Sequence, residues 1–263
     1  MNTRPTYSKM IRPITVLLIW CSIMFLGACS DRQEVEINKA PLPKSHKTVP
    51  DPDRKKNSVE RTSLDRAIAK GEMAEVASIL QENPHAAKAP VGSGMPPLCI
   101  AILRKQGAIA ELLIAHGADV DAPDKSQRTP LHLAVDRNMK DLVAVLIDRG
   151  ANPTRLDQAG WTPYHLAASK DRVEIMQILL ANSAPPLPPS ACGATPLHNA
   201  AFNGSAEMIR LLLNFGIEPA IKSKTGETAL AIAKANDNEA VVKILENTSQ
   251  IQKPESQTAP SAK

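Results

Sequence analysis

The 263-residue chain has no Gly-rich phosphate loop after a strand pattern, and neither G-x-S-x-G nor H-E-x-x-H occurs in it. Its carboxylates are scattered, with no pair set up for acid–base work. It is therefore expected not to be an enzyme and to need no cofactor. Long apolar runs are missing too: Ile14–Phe25 covers twelve residues, against about 20 for a spanning helix. Net charge is small. There are 31 Lys+Arg and 27 Asp+Glu, formally +4 at pH 7. Arg4, Lys9 and Arg12 account for most of that excess, and residues 1–28 hold no acid. Without that segment the count is 28 against 27. A near-neutral chain has no electrostatic footprint for nucleic acid, so none is expected as a partner.

What the chain does have is a repeat. Arg128-Thr129-Pro130-Leu131-His132-Leu133-Ala134 returns as Trp161-Thr162-Pro163-Tyr164-His165-Leu166-Ala167 and as Ala194-Thr195-Pro196-Leu197-His198-Asn199-Ala200. Weaker copies flank these, around Pro97 and Ala229. Pro97, Pro130, Pro163, Pro196 and Ala229 recur every 33 residues. A fixed period of that length is the signature of a repeat architecture.

The residues of one copy dictate its shape. Thr129 is a good helix N-cap, because its hydroxyl can take a free backbone N–H. Pro130 suits the first helical position, where a missing N–H costs nothing. Leu131 and the small Ala134 share a face. A polar break follows at Asp136, Arg137 and Asn138, and then Leu142, Val145 and Leu146 recur at helical spacing. Gly150 suits a left-handed helix end. Each copy reads as helix, turn, helix, loop. Alone it cannot bury its apolar faces, so it must stack on its neighbours.

This pattern resembles the ankyrin repeat over roughly Thr62 to Asn247, with the T-P-L-H-x-A core and the hairpin starts Gly117-Ala118-Asp119 and Gly150-Ala151-Asn152. The resemblance implies an all-α, ankyrin-like helical solenoid of about six helix-turn-helix repeats joined by short hairpin loops. The first repeat, from Thr62 to Leu80, and the last, ending near Leu245, are degenerate. Their polar residues Arg66, Lys70, Glu75, Lys234, Glu239 and Lys243 suit capping faces. The histidines at 132, 165 and 198 invite a metal reading. Stacked at about 10 Å intervals they cannot share an ion with bonds near 2.0–2.1 Å, so no metal site is expected. The resemblance implies instead that they hydrogen-bond loop backbone.

The ends of the chain read differently. A basic start, an apolar run and small residues read together as a secretory signal peptide over residues 1–28. It finishes in Leu26-Gly27-Ala28-Cys29, which resembles the bacterial lipobox. That resemblance implies a lipid on Cys29 and, with Ser30 next, sorting to the outer membrane, facing the periplasm. Residues 29–61 read as the lipidated cysteine and a Pro-rich disordered tether, 62–247 as the repeat domain, and 248–263 as a disordered tail. Cys99 stands where other repeats have histidine and is expected to be buried. Cys192 lies in the loop before the fifth repeat. About 30 Å of stacked helices separates them, so no bridge between them is expected.

The function follows from the fold. A solenoid offers an extended concave surface. In ankyrin-like proteins partners are held by loop tips and by exposed first-helix positions. By register these positions include Leu103, Arg104, Arg137, Lys170, Phe202 and Asn203 on helices, and Trp161 at a loop. Phe202 is an aromatic at an expected exposed position, and aromatics are favoured interface anchors. Pro186 lies in Ala184-Pro185-Pro186-Leu187-Pro188-Pro189, a loop stiffened toward polyproline II that replaces the usual hairpin. The expected partner is another protein. Three roles compete: an inhibitor or immunity protein for a secreted effector enzyme acting in the periplasm, an accessory factor for a resident periplasmic enzyme such as one of oxidative-stress defence, and an envelope scaffold.

Overall fold

The Thr–Pro pairs start helices, and the positions of those helices set everything else. The computed structural model describes residues 63–88, 94–182 and 187–251. They form α1 (residues 63–70), α2 (Met73–Glu82), a 3-10 turn (Pro84–Ala87), α3 (Pro97–Leu103), α4 (Gly107–Ala115), α5 (Pro130–Asp136), α6 (Lys140–Asp148), α7 (Pro163–Ser169), α8 (Val173–Ala181), α9 (Pro196–Asn203), α10 (Ala206–Asn214), α11 (Ala229–Ala235) and α12 (Glu239–Ile251). These are six helix pairs in an all-α solenoid. No strand occurs among the described residues, only an isolated antiparallel bridge between Lys222 and Thr228. The leader, Cys29, the whole of the tether, Pro186 and the last twelve residues lie outside the described residues.

Helices of seven to nine residues are too short to be stable alone. Stacking holds them. First helices pack on first helices, second helices on second helices, and each first helix packs on its own partner. Leu131, Leu133, Ala134, Leu142, Val143 and Leu146 are all buried in one cluster that runs through the stack. Turn chemistry sets the pitch. Asn138, Asp171 and Asp237 take φ between +51° and +58° and close first helices, while Gly117, Gly150 and Gly216 do the same for second helices. The polar residues expected on the two end repeats are all exposed. At the C-terminal end α12 continues to Ile251, into the stretch read from the sequence as tail. Leu245 anchors that helix in the core, and the Thr248 hydroxyl donates to the Ile244 carbonyl at 2.9 Å. Packing on α10 and α11 carries a polar segment past its own propensity.

The loops make a second, hydrogen-bonded stack beside the helices. Asp124, Asp157, Ser190 and Ser223 recur every 33 residues. Each closes a turn: Asp157 N–H donates to the Trp161 carbonyl at 2.9 Å, and its carboxylate accepts from Trp161 N–H at 2.9 Å. Neighbouring turns then bond to each other. Gln158 N–H reaches the Ser126 carbonyl, Ala191 N–H the Gly160 carbonyl, and Lys224 N–H the Cys192 carbonyl, at 2.9 to 3.0 Å. That approach leaves no room at Gly160, where a Cβ would collide with the Cβ of Ala191.

Two glycines with similar backbone angles should therefore behave differently. Gly160 (φ +76°) faces a clash, whereas Gly150 (φ +84°) has nothing within 4 Å. Gly150→Ala should cost only the left-handed backbone penalty, about 1–2 kcal/mol. Gly160→Ala adds overpacking against the next loop and should cost about 2–4 kcal/mol. Chemical denaturation of both variants checks this, and equal losses would mean that the loops are not in contact.

Candidate protein-binding face

The side chains of the three T-P-x-H copies are buried and serve the loops. The amides of Thr129, Thr162 and Thr195 donate to Nδ1 of His132, His165 and His198 at 3.2, 3.3 and 3.0 Å. The threonine hydroxyls lie 2.7 to 2.9 Å from the same nitrogens. Nε2 of each ring then reaches a carbonyl of the next repeat: Trp161 at 3.0 Å, Ala194 at 2.9 Å and Glu227 at 3.1 Å. A carbonyl only accepts, so Nε2 carries the hydrogen. Nδ1 faces a backbone N–H, so it is bare. The geometry thus demands a neutral ring. Burial lowers all three pKa values, with the loop carbonyls opposing it, and that of His165 falls to about 4.

The ends of this ladder differ. Cys99 occupies the equivalent position one repeat earlier. Its thiol donates weakly to the Ala122 carbonyl at 3.5 Å, and burial, with Asp124 adding to it, pushes its pKa up to about 12. The turn it adjoins is held instead by Asp124, a buried carboxylate that accepts from Ser126 N–H at 2.8 Å, Arg128 N–H at 3.0 Å and Arg128 Nε at 2.9 Å. Cys99 and Cys192 are not bridged to each other, as expected. Among the described residues, no group of three His, Cys, Asp or Glu could hold a metal ion.

On this frame the residues expected to meet a partner fall into two groups. Arg104, Arg137 and Lys170 close the first helices α3, α5 and α7. Asn203 ends α9 and is exposed. These form one row. Leu103 and Trp161 are less available. Leu103 is half-buried and packs on the core cluster. Trp161 is half-buried, and both its backbone polar groups are taken, by Asp157 and His132. Phe202 is half-buried rather than exposed as expected, yet among the described residues it is not one of the side chains packed against the core. An apolar ring in that position has a free surface to offer. Pro186 is outside the described residues.

Several inter-repeat contacts escaped the sequence reading, two of them at the turns that close the first helices. Lys170 Nζ reaches Asp136 Oδ1 at 2.7 Å, and Asp171 Oδ1 accepts both the N–H and the hydroxyl of Ser205 at 2.9 Å. Asp136 and Lys170 are 34 positions apart in sequence, as are Asp171 and Ser205. A charge or hydroxyl one repeat and one residue further on is the signal that would have found them.

The histidine ladder makes stability depend on pH. A lowered folded pKa means that the unfolded chain takes up protons first as pH falls. Above the ordinary histidine value of 6.5, His165 contributes no pH dependence; below it stability drops until about pH 4, by on the order of 3 kcal/mol. An NMR titration should place the His165 midpoint near 4. His165→Gln should be less stable at pH 7 and lose less between pH 6.5 and 4. A His165 midpoint near 6.5 would contradict the ladder.

A search of curated proteins returns no match to the chain. The family model described as ankyrin repeats (3 copies) matches residues 64–157, 98–187 and 185–255. With that match spanning more than half its length, over helix pairs whose histidines tie loop to loop, the chain belongs to the ankyrin-repeat family, which is typically a non-enzymatic, protein-binding scaffold.

Proposed function

We propose that the chain is a periplasm-facing lipoprotein whose first-helix face captures another protein, and that this partner is a toxic effector enzyme which the chain neutralises. Phe202 carries the choice of face: an aromatic ring at the end of a first helix, half-buried but outside the core packing, beside the exposed Asn203. The lipobox-like Leu26-Gly27-Ala28-Cys29 supports the anchor. A tethered, rigid binding surface suits an inhibitor, which needs shape more than chemistry. Cys29→Ala should abolish lipid labelling and release the protein from the membrane fraction. Unchanged membrane association would sink the lipoprotein reading.

The face is tested by a binding titration, with a melting curve for each variant. The partner comes from capture in periplasmic extract and identification of the bound protein. A secreted hydrolase inhibited by the chain supports the neutralising role. A resident enzyme whose activity rises supports the accessory role instead. Phe202→Ala should change stability by no more than about 1 kcal/mol. It should weaken affinity by about 2 kcal/mol or more, roughly thirtyfold. Glu174, exposed on α8 and paired with Lys140 at 2.9 Å, is the control on the second-helix side. If Glu174→Ala weakens binding more than Phe202→Ala does, the partner uses the opposite side of the stack.

A further inference from the structure

The closing residues of the first helices form a charged row with a sharp division. Arg104, Arg137 and Lys170 occupy equivalent positions, with φ of −88°, −80° and −98° and ψ near zero. The next two repeats offer amides, Asn203 and Asn236. Three cations therefore stand in register on successive repeats, and the row then turns neutral next to Phe202. Their partners within the chain are few. Arg104 Nη1 donates to the Ala69 carbonyl at 3.2 Å, and Lys170 pairs with Asp136 at 2.7 Å. Arg137, between them, is the odd one. Its Nε is shielded from solvent without a hydrogen-bond partner among the described residues, and its nearest carboxylate, on Asp136, is 4.0 Å away. A shielded guanidinium nitrogen without a hydrogen bond is costly, and the loose 4.0 Å ion pair with Asp136 offsets that only in part. The group that best fits its planar fork is a carboxylate.

Spacing selects the shape of the ligand. Packed helices sit about 8–10 Å apart. A polyproline II chain rises about 3.1 Å per residue with three residues per turn, so every third side chain lies on one side of it and advances by about one repeat. Resting on the protein-binding reading above, we propose that Arg104, Arg137 and Lys170 hold an acidic segment of the partner protein in polyproline II conformation, whose carboxylates recur at every third residue and so face the row together. The segment runs along the row toward Phe202. Asp136 is the resident competitor: it already engages Lys170 and lies nearest to Arg137.

The probe is a pair of labelled peptides of identical Ser, Gly and Glu composition. One carries Glu at every third position, and the other carries the same glutamates side by side. Anisotropy titrations use the full chain at low ionic strength. The spaced peptide should bind roughly fivefold tighter than the clustered one, because only it can meet all three cations. Arg137→Gln should weaken the spaced peptide roughly three- to fivefold. Asp136→Asn should strengthen it. Lys243→Gln, which removes an exposed cation on α12, should change nothing. Equal affinity for the two peptides overturns the proposal, as does an Arg137→Gln effect no larger than that of Lys243→Gln. So does binding of neither peptide, or equal competition by a short thymidine oligonucleotide. The assay needs no natural partner, so its failure leaves the protein-binding reading to be judged by the Phe202 titration.

Discussion

The bond from a buried histidine Nε2–H to the carbonyl of the next repeat is the constraint on which the rest depends. It is made three times, by His132, His165 and His198. Each one joins a first helix of one repeat to the loop that starts the next. The same ring accepts the amide of its own N-cap threonine, so a single side chain fixes both the beginning of its helix and the neighbouring loop. That double duty requires the neutral ring, and burial keeps it neutral. Where the ladder ends, at Cys99 and at Ala231, other groups take over. Asp124 organises the loop near Cys99, and the Thr228 hydroxyl alone caps α11.

Because loops and helix starts are tied from repeat to repeat, the first-helix face is presented by a rigid frame. Its side chains are then free to vary without unfolding anything. The core positions of α5, α7 and α9 are nearly interchangeable, with Leu131, Tyr164 and Leu197 all buried at one register position. The residues that close the same helices are not interchangeable: cations occupy one half of the row and amides the other. A repeat fold separates these two demands. The interior needs sameness so that repeats can stack, and the face needs difference so that a partner can be recognised.

The same separation decides what the sequence revealed. The period exposed every feature that each repeat must make for itself. The Thr–Pro helix starts, the left-handed turn at Gly150 and the helix pairing were legible from residue types at fixed spacing, while the histidine bonds to loop backbone followed from the resemblance to the ankyrin repeat. Features made between repeats were harder to see. The close approach of Gly160 to Ala191, the Asp171–Ser205 link and the Lys170–Asp136 pair each depend on how one repeat is offset from the next. Phe202 shows the limit at a single residue. Its register position marked it as exposed, but the extra residue of α9 and the extended Gly204 after it alter the local turn, and the ring is half-buried. The end of α12 was missed for the opposite reason, since packing extends a helix whose last residues look polar.

The two halves of the proposed face have different physical jobs. The cations are exposed or half-buried, and an exposed ion pair is worth only about 0–1 kcal/mol. The Lys170–Asp136 pair is of this kind, so exchanging Asp136 for a partner's carboxylate changes little in free energy. What such charges do well is steer and orient, because opposite fields speed encounter and penalise a reversed approach. Phe202 is suited to the complementary role. Covering a half-buried ring completes a desolvation that the fold has begun, and interface affinity concentrates in residues of that sort. A partner that meets the cationic end with acid and the Phe202 end with an apolar pocket would be held in one direction only. The order of residues along the row, and not any single one of them, would then set specificity.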